Sequence, residues 1–284
     1  MIVYVIEGSQ TGLYSALYYA YKNKKFPDKI IEVYTQLSLT DEIIYIKNDT
    51  TIAEKVKIFL TKCKTKNTVY ETSIALKSGE CNKLSVIFFY LKTVIDEKNT
   101  DISRNFAHTY VLDFYDLIKR IHTETHRFKG FLRFEESSSG FYYSHYTPDN
   151  DITEYLMPHF KARFASIPFI IHDVKRNIVG LCDGKTYKTI YSGNTPVTIY
   201  LSDNETLFRN LWRSYYNAVT IECRKNDRQM YAYMPKRYHK DLPEKKRIAA
   251  LIRQSVFRSD IFYFLPNNFR IKEGNSFFCD CSDE

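Results

Sequence analysis

HTETHRFKGFLRFEESSSGFYYSHY, residues 122–146, holds the change of rhythm on which the fold turns. Upstream of it, from residue 108, Val111, Phe114, Tyr115, Ile118 and Ile121 recur at helical spacing, and the stripe runs into Thr125. Gly130 is expected to end that helix. Beyond it the side chains alternate with a period of two, which predicts strands over 131–136 and 141–146 joined by SSSG, with Leu132 and Phe134 on one face and Arg133 and Glu135 on the other. A long amphipathic helix that feeds a hairpin reads as α+β: an α-rich amino-terminal segment, then antiparallel strands packed against helices near 108–126, 152–164 and 204–222.

Working outward, the chain opens with a strand over 2–6, a loop EGSQTG and a helix over 13–22. Gly8 and Gly12 invite a phosphate-loop reading, but neither the Lys-Ser/Thr of a P-loop nor the triple-glycine dinucleotide pattern is present. Short strands near 30–34 and 43–46 precede helices near 52–63, 69–77 and 83–95, and the polar run DEKNTD at 96–101 suggests a boundary. The expected organisation is 1–100 as an α-rich segment with short strands, 101–257 as an α+β core domain and 258–284 as a tail. After the hairpin a helix is expected over 152–164, a strand pair around Lys175 to Asn177, and further strands over 187–201. The next helix should bury Leu207, Phe208, Leu211, Trp212, Tyr215 and Val219, leaving Arg209, Arg213 and Tyr216 on an exposed face. A last helix is expected over 244–257.

With 284 residues and 44% hydrophobic side chains the chain can bury a core, and a net charge of +8 favours an anionic partner. The start, MIVYVIEGSQ, lacks a basic stretch before its apolar residues, so it reads as a strand and not as a secretion signal. No apolar run approaches the roughly 18 to 20 residues of a membrane span, and a cytoplasmic location is expected. Six cysteines in so long a chain do not make a disulfide scaffold. Arginine is distributed unevenly, with none before Arg104 and all of them from there to Arg270. In a chain rich in lysine, a guanidinium brings a planar donor fork that grips phosphate or a guanine edge and stacks on rings, so the region after residue 104 is the expected working domain.

Metal and acid–base chemistry find thin support. His122 and His126 of HTETH share a helical face, but Glu124 is turned roughly 200° from the first histidine, unlike the protease arrangement. A two-histidine site would need His159, His172 or Asp173 as a further ligand. Asp149, Asp151, Asp173, Asp183 and Glu222 show no nuclease spacing, and acids beside turns such as PDND and CDG cap and solubilise them. If the chain is an enzyme, His126, His172, Asp173 and Asp183 are its candidate acids, bases or ligands. Cys279 and Cys281 can begin a metal site but not close one, so neither a metal nor a cofactor is expected.

The broadest signal is basic residues interleaved with rings. HRFKGFLRF supplies Arg127, Lys129 and Arg133; HFKARF supplies Lys161 and Arg163; LFRNLWRSYY supplies Arg213 and Tyr216; MPKRYHK supplies Lys236 and Arg237. Arg176, Arg224 and Arg228 add cations, and Tyr143 and His145 add rings. Cations neutralise phosphates while rings stack on unpaired bases, which suits single-stranded or distorted nucleic acid. The opening stretch is therefore expected to join a core edge, through Phe128, Leu132 and Phe134, to an anion-binding surface, through His126, Arg127, Lys129 and Arg133.

On the blocks HRFKGFLRFEE, YYSHYTPDNDI, HFKARF, PFIIHDVKRNIVGLCDG and LWRSYYNAVTIECRKNDRQMYAYMPKRYHKDLPE, the chain resembles a bacterial family of DNA-metabolism or DNA-repair proteins built on a domain of unknown function. The resemblance covers 108–244 most strongly, and EGSQTGLYSALYYAY is similar to the family's usual opening. In such relatives the domain is found fused to uracil-DNA glycosylase-like domains, and stand-alone forms are encoded beside a radical-SAM protein. The resemblance implies a partner in DNA modification or repair, and with the arginine distribution and the interleaved rings it leads to the expectation of an accessory protein that binds single-stranded or distorted duplex DNA and works with a radical-SAM partner. Two rival readings stay open, a DNA-acting hydrolase or glycosylase-like enzyme and a pure protein-interaction module. This chain carries neither a glycosylase domain nor the CxxxCxxC cluster motif, and His239 stands where many relatives have tryptophan.

Overall fold

A computed structural model of the protein describes residues 1–32, 41–193, 196–242 and 252–256. The described residues form two compact units, one of residues 1–124 and 149–151, the other of 125–148 and the described residues from 152 onward.

In the first unit the β-branched run IVYVI forms β1 (Ile2–Ile6), flanked in parallel by β2 (Lys29–Glu32) on one side and β3 (Glu42–Tyr45) on the other. Helix α1 (Gln10–Asn23) makes the crossover from β1 to β2. Ser9 caps it by accepting the Gly12 amide at 3.1 Å, so EGSQTG satisfies its own helix terminus. Gly12 is required by close approach, since a Cβ there would lie 2.4 Å from the Glu7 carbonyl oxygen. Helices α2 (Thr50–Lys62), α3 (Thr68–Ala75) and α4 (Lys83–Asp96) follow close to their expected places. They bury Leu60, Ile74, Ile87, Phe88 and Leu91. The long helix α5 (Thr109–Phe131) buries Val111, Phe114, Ile118 and Ile121 as its stripe predicts, and Phe114 stacks on Tyr90 with ring centroids 3.7 Å apart.

Gly130 does not end α5, which runs on to Phe131. The first arm of the expected hairpin is therefore reduced to β4 (Glu135–Glu136), antiparallel to β5 (Tyr142–Tyr146). SSSG does form the turn, with Gly140 at φ +83°. After α6 (Thr153–Phe164) come β6 (Phe169–Asp173), β7 (Ile178–Cys182) and β8 (Tyr187–Tyr191), giving a five-stranded sheet in the order β4-β5-β6-β7-β8. The sheet is mixed and not wholly antiparallel, because α6 is a crossover that lays β6 parallel to β5. Phe134, Phe160, Phe164 and Phe169 pack ring against ring beneath it.

Beyond β9 (Pro196–Tyr200) stand α7 (Glu205–Val219) and α8 (Asp227–Tyr233). Of the expected helix over 244–257, residues 252–256 form instead a strand, β10 (Ile252–Val256), paired antiparallel with β9. Residues 243–251 lie outside the described residues, as do Cys279 and Cys281. The fold is α+β, and among the described residues no helix is long and apolar enough to cross a membrane.

Candidate functional site

The site forms where β4 meets the start of α7, and backbone pairing fixes that meeting. Ser137 bridges to Leu201, the Ser138 amide donates to Tyr200 O at 2.9 Å, and the Ser202 amide donates to Glu136 O at 2.9 Å. Side chains then set the rotation of α7. Arg209 donates from Nη2 to Glu135 Oε1 at 2.7 Å and from Nε to Glu205 Oε1 at 3.3 Å, and Glu205 Oε2 accepts the Glu136 amide at 3.1 Å. Burial raises the Glu205 carboxyl above its ordinary range, and the neighbouring Glu135 charge adds to this, against Arg209 and the Glu136 amide.

This rotation inverts the expected helix. Arg209, Arg213 and Tyr216 lie half-buried, while Leu207, Phe208, Leu211, Trp212, Tyr215 and Val219 are exposed by 38% at Trp212 to 59% at Tyr215. Among the described residues these side chains form a continuous apolar stripe facing water. Its near edge is not flat. Phe208, Leu211, Trp212 and Tyr215 form one wall of a cleft of about 570 Å³; Tyr142 and Phe134 form another, and Glu135, Glu136, Glu205 and Arg209 are polar members of its lining. The Arg133 guanidinium lies 5.2 Å from the centre of the Trp212 ring, and its Nη1 donates to Gly130 O at 2.7 Å at the end of α5. Among the residues expected to contact DNA, Arg133 alone lines this cleft. The periodicity of α7 revealed Trp212 and Tyr215 but assigned them to the core, and nothing local pointed to Glu135 or Glu205.

The remaining predicted residues take several positions. On α5, His126 is exposed and Arg127 reaches Ala232 O at 3.2 Å. Lys129 on α5 joins His159 and Arg163 on α6: the His159 imidazole is held below its ordinary range by burial first, then by the charges of Lys129 and Arg163. Lys161 on α6 extends over the Tyr187 ring, 5.8 Å from its centroid. Arg224, Arg228, Lys236 and Arg237 are exposed, with Lys236 4.5 Å from the Tyr231 ring centre and Arg237 4.8 Å from that of Tyr238.

Tyr143 does not reach the surface. It is 1% exposed and its hydroxyl pairs with His172 Nδ1 at 3.0 Å, so stacking on a base would require the sheet to open. His145 is half-buried beside it, ring centroids 6.1 Å apart. His172 is 2% exposed, and burial pushes its imidazole down to about 4. Asp173 is fully buried and organises the β6–β7 turn, accepting the Lys175 and Arg176 amides and pairing with Arg176 Nη1 at 2.9 Å; Arg176 also reaches Pro148 O at 3.2 Å. Burial raises its carboxyl in spite of Arg176. Asp183 does similar work in the next turn, where the Thr186 and Lys185 amides at 2.6 and 2.7 Å lower its carboxyl.

Glu124, the acid of HTETH, is also structural. It is buried and accepts the Asp149 and Asn150 amides at 2.7 and 2.8 Å and the Asn150 side chain at 2.6 Å. Among the described residues no group of three or more histidines, cysteines or acids is placed to hold a metal ion.

Comparison with known families matches residues 82–244 to the domain of unknown function DUF4130. The match spans more than half of the chain and takes in the Arg133–Trp212 cleft, so the chain belongs to this family. A search of the curated proteins finds no match.

Proposed function

We propose, from the premise of a DUF4130 protein with an arginine-flanked aromatic cleft, that the chain is a DNA-binding accessory protein of DNA repair or modification. In this reading it presents single-stranded or distorted DNA to a radical-SAM partner enzyme. The observation that carries the DNA-binding part is the placement of Arg133 over Trp212 at the cleft lined by Tyr142, Phe208 and Tyr215. Half-exposed rings are stacking platforms for unpaired bases, and a guanidinium beside them meets base edge or phosphate. Arg163, Arg224, Arg228, Lys236 and Arg237 are exposed cations in the same unit, and they supply the charge that phosphate neutralisation requires. The repair setting and the radical-SAM partner rest on the family resemblance.

The test is fluorescence anisotropy of labelled single-stranded and duplex DNA across a salt series, for the parent, Arg133→Ala and Arg163→Ala. Log affinity should fall linearly with log salt, with a slope shallower by about one in Arg163→Ala, which removes a phosphate contact, while Arg133→Ala should weaken binding at every salt concentration. Absence of binding at low salt would overturn the DNA reading and favour a protein-interaction module. Co-purification with a radical-SAM protein of the kind encoded beside stand-alone relatives tests the partner.

A further inference from the structure

We propose that the α7 cleft is a subsite selective for one unstacked guanine base. The proposal rests on the nucleic-acid reading above and specifies what that site accepts.

The lining combines two features that few ligands satisfy together. Rings make up much of it, Tyr142 on β5 and Phe208, Trp212 and Tyr215 on α7, and an aromatic lining favours a flat partner. Its polar members are three carboxylates, Glu135, Glu136 and Glu205, against two guanidiniums, Arg133 and Arg209. Ionised carboxylates only accept hydrogen bonds, so the occupant must bring donors, and the surplus of negative charge keeps a phosphate out of the cleft. The base of a nucleotide can enter while its phosphate stays outside. The volume of about 570 Å³ lies within the roughly 300 to 1,000 Å³ of small-ligand sites.

Among the natural bases, guanine alone offers two adjacent donors, N1–H and the 2-amino group, which match the two oxygens of a carboxylate. Its O6 and N7 are acceptors that a guanidinium can meet, and Arg133 stands in the lining with its Nη1 anchored on Gly130 O. Adenine and cytosine present one amino group beside an acceptor, and thymine one imino hydrogen between two carbonyls. Glu135 is pre-positioned for this role, because Arg209 fixes its Oε1 and its side chain is only 6% exposed, whereas both oxygens of Glu205 are engaged, by Arg209 and by the Glu136 amide, so Glu205 adds charge to the lining.

Trp212 is the chain's single tryptophan, so its emission reports occupancy of the cleft directly. The experiment titrates the full chain with oligothymidine strands carrying at one central position guanine, inosine, adenine or cytosine, reading Trp212 emission and anisotropy together. Free deoxyguanosine is titrated in parallel. The expected result is quenching by the guanine strand at about tenfold lower concentration than by the others, with inosine, which lacks the 2-amino group, losing most of the gain. Inosine tests the carboxylate contact from the ligand side, so the result does not depend on a Glu135→Gln or Glu205→Gln variant folding. Equal binding of all strands with unchanged emission would overturn the subsite and leave the nucleic-acid reading intact. No binding of any strand, with deoxyguanosine still quenching, would overturn that reading and keep the subsite; failure of both would remove both.

Discussion

Arg209 on α7 and Glu135 on β4, 74 residues apart in sequence, meet at 2.7 Å with side chains 11% and 6% exposed, and Glu205 completes the group at 3.3 Å. A pair this dry owes its stability to complete pairing, because each charge gave up its hydration to enter. Arg209→Met leaves two buried carboxylates facing each other and should cost about 3 to 5 kcal/mol in urea unfolding at neutral pH. Adding Glu135→Gln and Glu205→Gln to that variant should return a large part of the loss. A cost below about 1 kcal/mol for the single change would mean that water already screens the group.

The outward face of α7 gives a second, opposite expectation. Leu207 and Val219 are 56% and 52% exposed, so Leu207→Ala and Val219→Ala should each change stability by about 0.5 kcal/mol or less. Had the stripe been core, the leucine change would cost about 2 to 5 kcal/mol. Denaturant midpoints of the two variants decide which side of α7 faces water.

That contrast also explains what the sequence could and could not disclose. The order of elements from β1 to α6 was readable because periodicity and capping are local, as Ser9 on Gly12 shows. The direction of α7 was not. A moment gives the spacing of an apolar stripe but not the side on which the core lies, and that side was set by Glu135. Arg133 was legible as a cation, yet its place over Trp212 depends on the same rotation. The end of α5 failed for a neighbouring reason: the Leu132 amide continues the helical ladder to Phe128 O at 3.1 Å, and Arg133 holds the Gly130 carbonyl, which outweighs the cost of one glycine. The strand β10 has its partner β9 about fifty residues earlier, beyond any local pattern.

Gly180 tests the packing of α6 on the sheet. A Cβ at that position would lie 2.3 Å from Met157 Sδ and 3.2 Å from Thr153 Cγ2, and both side chains are fully buried. Gly180→Ala should therefore cost about 1 to 3 kcal/mol by overpacking. Combined with Met157→Ala, which vacates the space, it should cost less than the two single changes added together. Strict additivity in thermal or urea unfolding would show that the residues do not press on each other.

His172 supplies a prediction about pH, and its sign follows from burial. The ring is 2% exposed and its Nδ1 pairs with the Tyr143 hydroxyl, so the charged form is disfavoured and the folded value falls to about 4 from the ordinary 6.5. Above pH 6.5 the ring is neutral in both states and the pairing contributes in full. As pH falls from 6.5 towards 4, the unfolded chain takes up a proton that the folded protein refuses, so stability drops through that window and levels off below it. The linkage is worth about 3 kcal/mol across the window. His172→Asn, which keeps a polar atom facing Tyr143 but does not titrate, should flatten the acid side of the stability curve by that amount while losing some stability at pH 7.5. Urea unfolding of both proteins at half-unit steps between pH 7.5 and 4 measures the difference, and parallel curves would mean that His172 takes up its proton as readily folded as unfolded.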